Sequence, residues 1–131
     1  MASSDTPKVG TVVWTDLTVP QAELLRDFYG SVVGWTHEPV SMGSYNDFSM
    51  VPPGSTTPAT GICHARGVNE DLPPVWMIYI AVERLEESLE RCRELGGTVL
   101  AAPRAVGNQG RYAVIRDPAG AVAALYESVT P

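Results

Sequence analysis

Hydrophobic residues recur along the chain with two periods, one typical of strands and one typical of helices. Residues 9–19 are rich in β-branched and aromatic side chains and are followed by Pro20, which predicts a first strand. Over residues 21–33 the spacing becomes three or four, which predicts a helix with one apolar face and Gly34 at its end. The residues of that predicted face are Leu24, Leu25, Phe28, Tyr29 and Val32.

The same order of elements then occurs a second time. Strands are predicted at residues 35–40, 45–51, 59–64, 75–82, 98–102, 111–116 and 121–128, and a second helix at 85–95. Its predicted apolar face holds Leu85, Leu89, Cys92 and Leu95. The first strand and helix of the two halves align without gaps at an offset of 63 residues, so that Trp14 matches Met77 and Gly34 matches Gly97. The pattern therefore predicts a β-α-β-β-β unit that is repeated.

Three segments carry a resemblance to a known family. They are residues 14–19 with 27–35, residues 82–99, and residues 110–120 with their Asp117-Pro-Ala-Gly turn. In this order they resemble the vicinal oxygen chelate superfamily, which contains glyoxalases, bleomycin-resistance proteins and extradiol dioxygenases. The resemblance implies one α+β domain, residues 1–131. Within it, two βαβββ modules, residues 9–65 and 75–128, would form a curled mixed sheet, or cup, with the helices outside.

Metal-using members of that family carry ligands on the opening and closing strands of each module. The resemblance puts three of these positions at Trp14, Met77 and Ala124, whose side chains do not suit a divalent cation. Glu127 should point to the opposite face of its strand, and His64 alone cannot hold zinc or iron. The sequence therefore predicts no metal and no cofactor.

Strand alternation predicts the side chains that line the cup, and they are mostly aromatic and apolar. Such a lining suits a small planar or hydrophobic molecule. The predicted ligand-binding residues are Trp14, Thr18, Met77, Tyr126 and Arg111. The arginines at 104, 111 and 116 could clamp an anionic ligand, or could instead form surface ion pairs.

Asp16 and Tyr79 are the candidate catalytic residues. A carboxylate in an apolar cavity would have a raised pKa and could act as a general acid or base. Asp16 could instead be solvated at the mouth of the cup or bound to an arginine or a backbone N–H. Tyr79 could donate a hydrogen bond to a carbonyl or oxyanion, or could serve only in packing.

The composition of the chain limits which partners and which cellular compartment we expect for the protein. With a net charge of −6 and one lysine, Lys8, the chain has no basic stripe for nucleic acid. No apolar run approaches the roughly 20 residues of a membrane crossing, and residues 1–10 form a polar leader without a hydrophobic signal core. We therefore expect a cytoplasmic protein with reduced cysteines at 63 and 92.

Two classes of function stay open. The first is a metal-independent binder of a small aromatic or hydrophobic molecule, of the resistance or sequestration type. The alternative is an enzyme of the same fold. It would be either a metal-free isomerase, cyclase or hydrolase using Asp16 and Tyr79, or a glyoxalase-like lyase or dioxygenase whose metal ligands lie elsewhere. In either case we expect a homodimer, because an alanine-rich closing strand packs closely and family members often pair modules between chains.

Overall fold

The computed structural model describes residues 6–129, so the first five residues of the polar leader lie outside the described part of the chain. The described residues form two compact units, one of residues 15–76 and one of residues 77–129 together with residues 6–14. Each unit holds most of one β-α-β-β-β module. Every predicted strand and helix is present, with ends that differ by at most three residues from the predicted ones.

The first module is a mixed four-stranded sheet with one helix. Its elements are β1 (Val12–Val19), α1 (Ala22–Val33), β2 (Thr36–Ser41), β3 (Asn46–Val51) and β4 (Thr60–His64). The strand order is β2-β3-β4-β1, with β1 parallel to β4 and the other pairs antiparallel.

The second module repeats this arrangement. Its elements are β5 (Trp76–Ala81), α2 (Leu85–Glu94), β6 (Thr98–Ala105), β7 (Gly110–Arg116) and β8 (Val122–Ser128). The order is β6-β7-β8-β5, with β5 parallel to β8. Two register shifts between β6 and β7 accompany a β6 strand that runs three residues further than predicted.

The registers of the two modules coincide at the predicted offset. Asp16 pairs with Gly61 in the first module, and the residues 63 positions later, Tyr79 and Ala124, pair in the second. Cys63 lies beside Thr18 in the same way that Tyr126 lies beside Ala81. The repeat therefore extends to the closing strands, and the α+β fold class with two βαβββ modules is confirmed.

The core of the first module explains which part of α1 is buried. Leu17, Val19, Phe48, Met50 and Ile62 form a buried cluster with Ala22, and Leu25 and Tyr29 of α1 pack against it. The predicted apolar face was too wide, because Leu24, Phe28 and Val32 are 65%, 53% and 64% exposed. A helix lying on one sheet buries only the arc that contacts it.

The two aligned glycines serve different purposes. Gly34 ends α1 in the left-handed conformation at φ 89°, as predicted. After α2 that conformation belongs to Gly96, at φ 95°. A Cβ on Gly97 would lie 2.5 Å from Cys92 Sγ and 3.0 Å from the carbonyl oxygen of Arg116, so this position requires space. Leu95 lies beyond the end of α2 and is exposed, contrary to prediction.

Residues 6–14 belong to the same compact unit as residues 77–129. The Gly10 N–H donates to the carbonyl of Ala81 and the Ala81 N–H donates to the carbonyl of Thr11, both at 2.8 Å. These backbone bonds attach residues 10 and 11 to the end of β5. Across the described range, neither helix has the length and apolarity that a membrane span needs.

Candidate functional site

One face of the second module's sheet carries three tyrosines. Side chains on the other face, including Ile80, Ala113 and Leu125, pack against α2. By strand alternation the opposite face presents the phenols of three strands above small and apolar residues. We call this the tyrosine face; it consists of Tyr79, Tyr112 and Tyr126 with Met77, Val114 and Ala124 between and below them.

The phenols of this face are arranged as neighbours. The rings of Tyr79 and Tyr112 have their centres 5.5 Å apart and are inclined by 60°. Tyr112 is paired directly with Tyr126 across β7 and β8. The Tyr126 hydroxyl donates a 2.7 Å hydrogen bond to the carbonyl of Gln109, and partial burial raises the pKa of this phenol. These half-buried rings offer flat apolar surface with hydroxyl groups at the edge.

The corresponding face of the first module is acidic. Asp16, Thr18 and Asp47 are buried there, with Asp16 only 7% exposed. The Sγ atom of Cys63 lies 4.0 Å from Oδ2 of Asp16. Burial, followed by the nearby carboxylates of Asp16 and Asp47, raises the pKa of the Cys63 thiol, so it is neutral at physiological pH. We call these four residues the acid face.

The two faces use equivalent positions. The common registers match Asp16 with Tyr79 and Cys63 with Tyr126. Phe48 pairs with Ile62 as Ala113 pairs with Leu125, so Asp47, one residue before Phe48, matches Tyr112. Carboxylates and a thiol in one module thus stand where the other module has phenols.

His64 links α1 to the sheet of the first module. Its Nε2 lies 3.0 Å from Oε1 of Glu23 and its Nδ1 lies 3.2 Å from Oδ1 of Asp47. The His64 backbone N–H also donates to Asp47 Oδ1, at 2.8 Å. The hydrogen bond with His64 is the main cause that lowers the pKa of Glu23. Both ring nitrogens therefore face carboxylates, and His64 is a structural link rather than a free metal donor.

Arg111 lies on the α2 side of its sheet, away from the tyrosine face. Its guanidinium makes two bonds with Glu86, of 2.6 and 2.8 Å, and approaches Glu127 at 3.2 Å. An open depression of about 450 Å³ borders Arg111 and Glu127 beside residues 105–110. Arg111 thus forms surface ion pairs, which was one of the two uses expected for this arginine. Ligand binding by Arg111 stays a prediction.

The three positions at which the family resemblance implies metal ligands, and a fourth that matches them by strand register, do not fit a metal. Trp14 and Met77 occupy the opening strands. Ala124 occupies the second closing strand, and the shared register puts Gly61 at the matching place in the first. None of these side chains has a hard nitrogen or oxygen donor. Within residues 6–129 no group of three His, Cys, Asp or Glu side chains is arranged to hold a metal ion.

The predicted site residues thus fall into separate groups. Met77, Tyr79 and Tyr126 share the tyrosine face, and Asp16 and Thr18 share the acid face, as strand alternation predicted. Trp14 is 36% exposed and groups with the second module. Tyr112 and Asp47 were not predicted. Alternation along β7, where Tyr112 and Val114 flank the core residue Ala113, is the sequence signal that could have found Tyr112.

A comparison of the sequence with known proteins identifies one family model and several related proteins. The family model described as a glyoxalase-like domain matches residues 12–126. The chain is 32% identical over 130 residues to the anthracycline biosynthesis protein DnrV of Streptomyces peucetius, covering 89% of this chain and 46% of DnrV. It is 29% identical over 115 residues to CFP32 of Mycobacterium tuberculosis, whose name describes a glyoxylase, covering 88% of this chain and 43% of CFP32. The chain spans about half the length of these relatives.

Solved structures with low sequence identity share the fold. Methylmalonyl-CoA epimerase from Mycobacterium tuberculosis has a TM-score of 0.53 at 17% identity, over 99% of this chain and 94% of that one. A Streptomyces coelicolor methylmalonyl-CoA epimerase has a TM-score of 0.52 at 14% identity, over 95% of this chain and 100% of that one. At such identities the likeness concerns the fold alone.

Proposed function

This chain belongs to the glyoxalase-like domain family of the vicinal oxygen chelate superfamily, and on that premise we propose that it is a metal-independent binder of a small aromatic molecule. The ligand would lie on the tyrosine face. The observation that carries the proposal is the set of three neighbouring phenols, Tyr79, Tyr112 and Tyr126, above apolar residues. The role would be to sequester or carry the molecule.

Metal independence is supported by the donor chemistry. Trp14, Gly61, Met77 and Ala124 stand where the family would supply ligands, and none can replace water around a divalent cation. The neutral Cys63 thiol and the engaged ring of His64 do not supply the missing donors. Binding would therefore depend on stacking and apolar burial, with a few hydroxyl groups that orient the ligand.

An aromatic ligand is favoured over an aliphatic one. Ring pairs gain about 0.5–1.5 kcal/mol beyond the burial of their area, and the Tyr79–Tyr112 pair offers two ring surfaces at different inclinations. One relative, DnrV, is named for the biosynthesis of anthracyclines, compounds that contain a planar anthraquinone ring system. We extend that chemical class to this chain as part of the proposal.

The direct test is a calorimetric titration of the full chain with anthraquinone derivatives. We expect saturable binding that is unchanged by a chelator and leaves the compound intact. Tyr112→Ala should lower the affinity about five- to tenfold, which corresponds to roughly 1–1.4 kcal/mol of stacking.

A matched control uses a tyrosine of similar burial outside this face. Tyr45 lies in the first module, under the guanidinium of Arg66 at 4.0 Å, and Tyr45→Ala should leave the affinity unchanged. Circular dichroism would verify that both variants fold. A requirement for a divalent ion, or equal affinity of wild type and Tyr112→Ala, would contradict the proposal.

The acid face supports a second candidate, a metal-free enzyme that uses a carboxylate for proton transfer. Asp16 is a buried carboxylate beside a neutral thiol, and such surroundings suit a general acid or base. Asp16→Asn should retain ligand affinity and abolish product formation, measured by mass spectrometry, whereas Asp27→Asn on the exposed side of α1 should change neither. Product formation that survives Asp16→Asn would exclude this role.

A further inference from the structure

One cation beside the tyrosine face is Arg104. It lies on β6 directly opposite Tyr112 of β7. Its guanidinium carbon Cζ is 5.7 Å from the centre of the Tyr112 ring, which is within the range of a cation–π contact. Its Nε–H also points towards the carbonyl of Ala102, at 3.4 Å. Arg104 therefore extends the edge of the tyrosine face with a planar, permanently charged group.

The position of this charge differs from that of three other arginines of the second module, Arg84, Arg111 and Arg116. Arg111 and Arg84 lie with α2, where they contact Glu86, Glu127 and Glu87. Arg116 shares the strand face of Tyr112 by alternation, but it is exposed at the far end of β7, about 13 Å along the strand. Arg104 alone among these four is in contact with a phenol of the tyrosine face.

The negative charge of the rest of the chain makes a local cation important for the binding of an anionic ligand. The chain carries a net charge of −6, which disfavours an approaching anion. The equivalent face of the first module holds the carboxyl groups of Asp16 and Asp47. These positions would therefore not attract an anionic ligand. A guanidinium in the plane of a bound aromatic compound can donate two parallel bonds to a carboxylate, and these are stronger than bonds between neutral groups.

We propose that Arg104 makes the tyrosine face selective for aromatic ligands that carry an anionic group, a carboxylate or an ionised phenol, next to the ring system. The proposal rests on the proposed function, since it names the ligand class of that same face. Tyr112 would stack on the ring, and Arg104 would bind the anionic group at the ring edge.

The test compares two probes of the same shape, an anthraquinone carboxylate and the corresponding carboxamide, by calorimetry on the full chain. Wild type should bind the carboxylate at least about tenfold more tightly. Arg104→Met should remove this preference and leave the affinity for the carboxamide within about twofold. Arg104→Lys should keep a reduced preference, because it preserves the charge without the planar fork. Arg116→Met is the matched control and should behave as wild type.

The outcomes separate the two proposals. If wild type binds both probes equally, or if Arg104→Met keeps the preference, the selectivity proposal is overturned while binding on the tyrosine face stands. If neither probe binds, the proposed function fails and the selectivity falls with it. The comparison of the two probes on the wild type needs no variant, so it tests the proposal even if Arg104→Met folds poorly. Arg104→Lys provides a second variant for the same measurement.

Discussion

Glu127 on the closing strand β8 accepts a hydrogen bond from the backbone N–H of Leu85, the first residue of α2, at 2.7 Å. Arg84, the residue before the helix, makes no side-chain capping hydrogen bond, because a guanidinium has no acceptor atom. The first N–H groups of a helix lack partners and attract negative charge. The sheet therefore supplies the cap, and Arg111 holds the same carboxylate from the other side.

Replacing this carboxylate should destabilise the protein. Glu127→Ala removes the cap and one partner of Arg111, and we expect a loss of about 1–2 kcal/mol in the free energy of unfolding. Glu127→Gln keeps an acceptor oxygen and should lose about half as much. Urea denaturation at neutral pH measures both. Glu87→Ala, which breaks the exposed pair with Arg84, is the control and should change stability by less than about 0.5 kcal/mol; a similar loss in both would contradict the capping role.

The sequence predicted the elements and most of the face assignments because both rest on short periods. Tyr79 and Tyr126 were correctly predicted to lie on one face of the sheet. The reason is that β5 and β8 pair in the same register as β1 and β4, 63 residues earlier. Alternation also predicted that Glu127 points away from Ala124, and Glu127 indeed reaches α2.

Contacts that depend on hairpin register were not predictable in the same way. Tyr112 and Arg104 meet only after two register shifts between β6 and β7, and nothing in the local pattern fixes those shifts. The link from His64 to Glu23 depends on how α1 lies on its sheet. Arg111 was expected to bind ligand because its charge was visible in the sequence, whereas its two carboxylate partners come from different elements.

The Glu86–Arg111 pair should be visible in a titration. Hydrogen bonding to Arg111 lowers the pKa of Glu86 from its ordinary 4.5 to about 2. Because the folded-state pKa is the lower one, the stabilising contribution is complete above about pH 4.5 and is lost as the pH falls towards 2. The Glu86 side chain is 66% exposed, so salt should weaken the effect.

Carboxyl ¹³C NMR would measure this pKa directly. In Arg111→Gln the Glu86 pKa should return towards 4.5, because the guanidinium that stabilises the carboxylate is gone. Arg116→Gln, which removes an exposed arginine at the far end of the same strand, should leave it low. A wild-type Glu86 that titrates at its ordinary pKa would show that the pair does not form in solution.

Cys63 should react slowly with alkylating agents in the folded protein. Burial and the carboxylates of Asp16 and Asp47 raise the pKa of its thiol, and only the thiolate is nucleophilic. Iodoacetamide labelling at pH 8, followed by mass spectrometry, should therefore be at least about tenfold slower than in urea. Asp16→Asn should speed the native reaction by removing one charge, but not to the unfolded rate, since burial is the larger cause. Rapid native labelling of Cys63 would contradict the buried acid face.

Gly110 should be the least replaceable glycine of the second module's hairpin. Its φ is 149°, and a Cβ there would collide with the carbonyl oxygen of Glu127 and lie 3.0 Å from the Cα of Ser128, its partner on β8. Backbone atoms of a paired strand cannot yield without breaking the ladder that positions Tyr112 beside Tyr126.

Gly110→Ala should therefore cost roughly 3 kcal/mol or more. Gly107→Ala, at φ 52° with no atom within 4 Å of the added Cβ, should cost only about 1 kcal/mol of backbone strain. Denaturant unfolding of both variants measures the difference. The same pair tests whether the hairpin supports the ligand face, because Gly110→Ala should also weaken aromatic binding while Gly107→Ala should not. Equal costs would mean that β7 and β8 are further apart at this point than the structure has them.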